Sequence, residues 1–171
     1  MKVTASKTSL LGACGEHFVM GELLRRDMIA ALAPQGVPNM DIVVTDVLGN
    51  TLSAIQVKTR RAKGADGGWH MRPKHETLVS PHLFYVFVDL GVEAAEEAKY
   101  WIIPSDKVAK VIYQSHRAWL ARPGKNGHVR KDSSVRRLLP DYTKAFLPDP
   151  CPYPMGWLDE YSESWHRLAS R

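Results

Sequence analysis

The stretch Asp41-Ile42-Val43-Val44-Thr45-Asp46-Val47, then Leu48-Gly49-Asn50-Thr51, then Leu52-Ser53-Ala54-Ile55-Gln56-Val57-Lys58 decides the architecture of this chain. Two β-branched runs flank a Gly-first turn signal, which predicts a hairpin with Gly49-Asn50 as its two-residue loop. That turn pairs Asp41 with Lys58 and Val43 with Gln56. Side chains alternate along a strand, so Asp41, Val43, Gln56 and Lys58 share one face while Ile42, Val44, Ile55 and Val57 fill the other. Val47, Leu52 and Ala54 add apolar cover to the first face, so both sides of the sheet read as buried. A lysine and a glutamine in such a place need a partner or a task. Paired Cβ atoms lie about 5 Å apart and diagonal ones about 7–8 Å apart, close enough for Asp41 and Gln56 to share a metal ion with Lys58 beside it.

Upstream, Ser9 to about Asp27 reads as a helix, with Leu10, Cys14, Gly21, Leu24 and Met28 at three- and four-residue steps and Thr8 or Ser9 as its cap. Two acids on it compete for the site. Glu22 is flanked by Arg25 and Arg26 at i+3 and i+4 and reads as a solvated ion-pairing residue, whereas Glu16 shares a row with Met20 and Leu23 and is the better candidate. Downstream, Leu83-Phe84-Tyr85-Val86-Phe87-Val88-Asp89 is the continuous apolar run of a central strand covered on both faces. Lys99 to Ile103 reads as a further strand, and Ser105 as the cap of a four-turn helix. Five prolines between Pro140 and Pro154 exclude regular structure. A last helix, about 156–169, carries Trp157, Tyr161, Trp165 and Leu168 on one side. The chain thus divides into a core at about 9–121, a basic loop and proline-rich strap at about 122–155, and this helix, all in one domain.

The 171 residues are 44% hydrophobic and 24% charged, the profile of an ordinary globular domain. Two distant cysteines, Cys14 and Cys151, suggest neither a disulfide framework nor a zinc site, and a reducing cytoplasm fits. Leu11-Gly12-Ala13-Cys14 resembles a lipoprotein cleavage site, but Lys7 interrupts the apolar stretch it would need. No segment has the length of a membrane span. The net charge of +5 is unevenly spread: 58–74 and 117–137 are strongly basic and the remainder is acidic. Arg60, Arg61, Lys63, Arg72 and Lys74 in the first segment, with Arg130, Lys131, Arg136 and Arg137 in the second, are candidate contacts to a polyanion.

Gly12-Ala13-Cys14-Gly15-Glu16 on the first helix, Asp41 opening a strand and Ile55-Gln56-Val57-Lys58-Thr59 on the next together resemble the PD-(D/E)XK nuclease superfamily. The Gln-x-Lys form is similar to the Mrr-like branch, and the placement of Glu16 to the Holliday-junction-resolvase-like branch; the likeness spans roughly Leu10 to Ile103. It implies an α/β restriction-endonuclease-like core, a central mixed sheet of four or five strands flanked by helices with a C-terminal helical extension. It also implies a catalytic set of Glu16, Asp41, Gln56 and Lys58. Asp41, Gln56 and Glu16 would hold Mg²⁺, with Mn²⁺ as substitute, and Lys58 would position or activate the attacking water. The expected substrate is DNA, in restriction or repair, and double-strand cutting would favour a homodimer. Gln56 stands where most relatives have a carboxylate. The alternative is therefore a catalytically degenerate member serving as a nucleic-acid-binding or protein-interaction module.

Overall fold

The computed structural model describes residues 6–34, 36–62, 67–145 and 148–169. Helix α1 (Lys7–Leu24) begins at Ser6, whose side chain accepts the Ser9 N–H at 3.1 Å, earlier than the expected cap at Thr8 or Ser9. There follow β1 (Ile29–Leu32), β2 (Ile42–Thr45), β3 (Thr51–Arg60), β4 (Trp69–Met71), β5 (Leu83–Asp89), β6 (Lys99–Pro104), α2 (Ser105–Leu120) and β7 (Arg136–Leu138). Five strands form a mixed sheet in the order β1-β2-β3-β5-β6, in which β3 and β5 are parallel and the other neighbours antiparallel. β4 and β7 make a separate two-stranded ribbon. This is the α/β architecture expected, with β5 inside the sheet between β3 and β6.

Two apolar clusters sandwich the sheet. On one face Val19 and Leu23 of α1 cover Ile42, Val44, Ile55, Val57, Val86 and Val88. On the other, Val108, Val111 and Ile112 of α2 cover Leu83, Tyr85 and Phe87, and the ribbon adds Trp69, Met71 and Leu138. The phase of α1 differs from the expected one: Leu10 and Leu24 are 59% and 53% exposed, while Gly15, Val19 and Leu23 face inward. Gly15 explains the phase. A Cβ there would stand 1.8 Å from Thr59 Oγ1 and 2.8 Å from Thr59 Cβ, so only glycine lets the helix lie this close to β3.

The hairpin departs from its predicted register. Ile42 pairs with Ile55, Val43 with Ala54 and Val44 with Ser53, which brings Asp41 alongside Gln56 rather than Lys58. The turn is longer than two residues because Asp46 organises it: its carboxylate accepts the N–H groups of Leu48 and Asn50, each at 2.9 Å, and the Asn50 side-chain amide at 2.8 Å. Ser105 does not cap α2; its hydroxyl exchanges hydrogen bonds with the Ser80 backbone at 3.0 and 2.9 Å.

The C-terminal extension is helical only in two 3₁₀ turns, Asp159–Tyr161 and Trp165–Leu168, and not one α-helix over 156–169. Between them the chain crosses the outer edge of β6, where Ser162 bridges Trp101 and the Glu163 N–H donates to Tyr100 O at 3.1 Å. Its apolar side chains are therefore divided: Tyr161 belongs to the α2 cluster, Trp165 and Leu168 to the α1 cluster. No helix among the described residues is long and apolar enough to cross a membrane.

Candidate active site

β2 begins at Ile42 while β3 continues to Arg60, so the last residues of β3 pair with β5 on one side and have no strand on the other. An uncovered strand edge leaves backbone donors to be satisfied by other groups. Asp41 does so. Its Oδ2 accepts the Val57 N–H at 2.7 Å and the side-chain amide of Gln56, which places the carboxylate at the strand edge and not on one face as the alternation argument expected.

That edge position joins groups from both layers. Gln56 and Lys58 alternate with the buried Ile55 and Val57 and so lie on the α2 side, next to Tyr85 and Phe87 of the parallel neighbour. Glu16 comes from α1, on the opposite layer. Its carboxyl is nevertheless coupled to Asp41 and Lys58: burial first and Asp41 second push it above the usual carboxylate range, while His17 and Lys58 pull it back. Lys58 is held below the ordinary lysine value by burial, and the nearby Lys74 and Arg72 add to this, whereas Asp41 and Glu16 oppose it. The four expected residues thus gather around the part of β3 that has no strand neighbour on the β2 side.

Three further residues belong to this neighbourhood. A 3₁₀ turn, Pro73–Glu76, places His75 under the sheet, 2% exposed, with Nδ1 at 2.7 Å from the Tyr85 hydroxyl. Burial, then Lys58, Lys74 and Arg72, lower its pKa to about 4, so it is a neutral hydrogen-bonding group at physiological pH. Burial likewise raises the Tyr85 phenol. Lys74 Nζ donates to Asn39 Oδ1 at 3.1 Å and ties the turn to the segment leading into Asp41. His75 has no motif spacing that marks it; only the β3–β5 pairing of Gln56 with Tyr85 brings it to the site.

The basic residues separate into two groups. Arg72 and Lys74 are exposed beside the cluster, Lys131 and Arg137 are exposed elsewhere, Arg61 is half-buried, and Lys63 lies outside the described residues. Arg60, Arg130 and Arg136 are engaged internally instead. Arg60 meets Asp89 at 2.7 and 3.0 Å and lies 3.9 Å from the centre of the Trp69 ring. Arg130 donates to Trp119 O at 3.1 Å and covers that ring. Arg136, 5% exposed, pairs with Glu76 and donates to Ser133 O at 2.6 Å. Burial without water makes such internal partners obligatory, which is why these three arginines of the basic segments are not free surface cations.

No protein-family model matches the chain, and no curated protein matches it. Among solved structures, the bacterial homing endonuclease I-Ssp6803I superposes with a TM-score of 0.51 at 17% identity, over 96% of this chain and 93% of that one. The two chains share a fold. The likeness runs well past Ile103, through α2, the ribbon and most of the C-terminal extension.

The donor set fits a hard divalent cation in type, with two carboxylates and one amide carbonyl. Among the described residues no three His, Cys, Asp or Glu side chains gather as a metal group; beside Asp41 stands the amide of Gln56. Gln56 uses its NH₂ on Asp41, which leaves its carbonyl oxygen, the atom able to ligate, uncommitted there.

The close approach at Gly15 yields a direct test. Gly15→Ala should destabilise the protein by about 1–3 kcal/mol, since Thr59 cannot rotate its own Cβ out of the way and α1 must lift from the sheet. Gly12→Ala, where nothing lies within 4 Å, should be neutral or stabilise by up to about 1 kcal/mol. Urea unfolding of the two variants measures both; equal effects would contradict this reading of the helix–sheet contact.

Proposed function

We propose that this chain is a metal-dependent endonuclease that hydrolyses phosphodiester bonds of DNA, with Glu16, Asp41, Gln56 and Lys58 as its catalytic set. The supporting observation is the convergence of these four residues at the open edge of β3. The shared fold with a homing endonuclease points to the same chemistry.

Glu16, Asp41 and Gln56 would hold Mg²⁺, or Mn²⁺ in its place, which when bound supplies a hard positive charge facing the phosphate. Lys58 is a desolvated cation coupled to Asp41 and Glu16, so it would stabilise negative charge developing on the phosphate more strongly than a solvated lysine would. Lys58 would also position or activate the attacking water. His75, neutral and fixed by Tyr85, adds no charge that would compete with the metal. Arg72 and Lys74 flank the cleft and grip the backbone on either side of the scissile phosphate. Two-fold pairing of chains would bring one such site to each strand of a duplex.

Gln56 in place of an acid favours a second reading, a nuclease fold retained as a DNA-binding module. Nicking of supercoiled plasmid decides between them: Mg²⁺-dependent conversion, stopped by a chelator, is expected, and binding without conversion in Mg²⁺ or Mn²⁺ supports the module.

Binding has its own expected signature. DNA affinity should fall steeply with salt, and the double variant Arg72→Ala/Lys74→Ala should lower the slope of log K against log salt by about 2, as two phosphate contacts are lost. Arg136→Ala should leave the slope unchanged and instead cost about 3 kcal/mol of stability, because it strands Glu76 without its partner. Filter binding across a salt series with parallel melting curves checks both; a slope change with Arg136→Ala would reverse the assignment.

A further inference from the structure

Between the C-terminal half of α2 and the strand β7 lies a cavity of about 410 Å³, apart from the Glu16–Lys58 cluster. Its lining combines the cations Arg136, Arg137 and Lys144 with His116 and two serines, Ser115 and Ser133, over an apolar wall. No carboxylate lines it among the described residues. The volume falls in the range of small-ligand sites, about 300–1,000 Å³.

The interior is fixed in advance. Arg136 is held by Glu76 and by Asp132 at 3.2 Å, and His116, 9% exposed, has Nε2 at 2.8 Å from the same Asp132 oxygen. Trp119 stacks with the His116 ring at 5.4 Å and is covered by the Arg130 guanidinium at 4.7 Å, so the indole is already engaged by protein groups and serves as a wall. Arg137 and Lys144 stand at the exposed rim. An anionic group at the rim with a flat, partly apolar body inside matches this distribution.

We propose that this cavity takes up one nucleotide that has left the helical stack, its phosphate against Arg137 and Lys144 and its base and sugar inside. The proposal rests on the DNA reading above and narrows it to DNA carrying an unpaired nucleotide. Phosphates of a regular duplex lie on its outside and are met by surface cations; a concave site of this volume suits a nucleotide outside the stack. The route to the active site is short. The turn Pro73–Glu76 follows Arg72 and includes Lys74 on the side of Lys58, and its last residue, Glu76, holds Arg136 on the side of the cavity.

The test compares two labelled oligonucleotide duplexes of equal length, one fully paired and one with a single unpaired nucleotide, bound to the full chain in chelator so that no cleavage occurs. The wild type should bind the second about tenfold more tightly, equivalent to about 1.4 kcal/mol. Lys144→Ala removes a rim charge, and Ser133→Trp fills the cavity from an exposed position while leaving every cation in place. Both should reduce the margin to about twofold or less. Equal affinity of the wild type for the two duplexes overturns the proposal, as does a margin that survives Ser133→Trp in a folded protein. A wild type that binds free deoxynucleoside monophosphate but shows no margin between the duplexes also overturns it. If plasmid is cut in Mg²⁺ and no margin exists, only this proposal fails; if neither duplex is bound, the DNA reading fails with it.

Discussion

Lys58→Ala should lower Mg²⁺-dependent cleavage by at least about 10²–10³-fold, the loss typical of removing one preorganised group that stabilises charge in the transition state. The fold should survive. Lys58 sits beside Phe87 on β5 without being part of either apolar cluster, and burial already depresses its ammonium, so the native state gains nothing from keeping this charge desolvated. The sign is definite: a lysine whose folded pKa lies below its unfolded one destabilises the folded state wherever it stays protonated, and its removal is neutral or stabilising near pH 7. Thermal melting and plasmid cleavage of the same preparation separate the two effects. Loss of activity with a large fall in melting temperature would mean that Lys58 is a structural residue, and unchanged activity would remove it from the site.

The second large effect concerns metal affinity. Gln56→Glu exchanges a neutral ligand for a carboxylate of nearly the same size and should tighten Mn²⁺ binding by about tenfold, since hard cations gain from added ligand charge. Asp41→Asn should weaken it by at least about tenfold. An asparagine oxygen can still accept the Val57 N–H, so this loss should come without unfolding. Calorimetric titration of the three proteins gives the order Gln56→Glu, wild type, Asp41→Asn. The reverse order at either variant would contradict the assigned ligand set. If wild type does not bind metal but Gln56→Glu does, the chain is a degenerate nuclease used for binding.

The hairpin shows what the sequence made legible and what it did not. Its existence and the side of the sheet carrying Gln56 and Lys58 followed from β-branched alternation, and the face survived an error in register because the true pairing is displaced by an even step. The turn was misjudged because the Asp46 carboxylate, through hydrogen bonds to Leu48 and Asn50, builds a longer loop than the dipeptide rule allows. The edge position of Asp41 could not be read at all, since it depends on β2 beginning only at Ile42, opposite Ile55, while β3 runs on to Arg60.

Helix α1 failed differently. Apolar residues surround it, so periodicity had no unique answer, and the deciding feature was the room that Gly15 leaves for Thr59. Of its two acids, Glu16 is the one coupled to Asp41, whereas Glu22 is engaged by Arg25 and Arg26, the arginines that its spacing had pointed to. The basic segments were legible only in part. Arg60 and Arg136 are internal ion-pair residues whose partners, Asp89 and Glu76, lie 29 and 60 positions away in sequence. Pairing at such separation leaves no local trace, and the short strand β7 that carries Arg136 lies in the stretch read as a basic loop and proline-rich strap.

The central claim is that Asp41, Gln56 and Glu16 surround a divalent cation beside Lys58. A crystal of the protein soaked in Mn²⁺ and measured at the manganese absorption edge tests it most directly. The account predicts one anomalous peak within about 2.1–2.3 Å of an Asp41 carboxylate oxygen and the Gln56 carbonyl oxygen, with Glu16 bound directly or through water. Absence of a peak there at saturating Mn²⁺, or a peak that persists unchanged in Asp41→Asn, would contradict it.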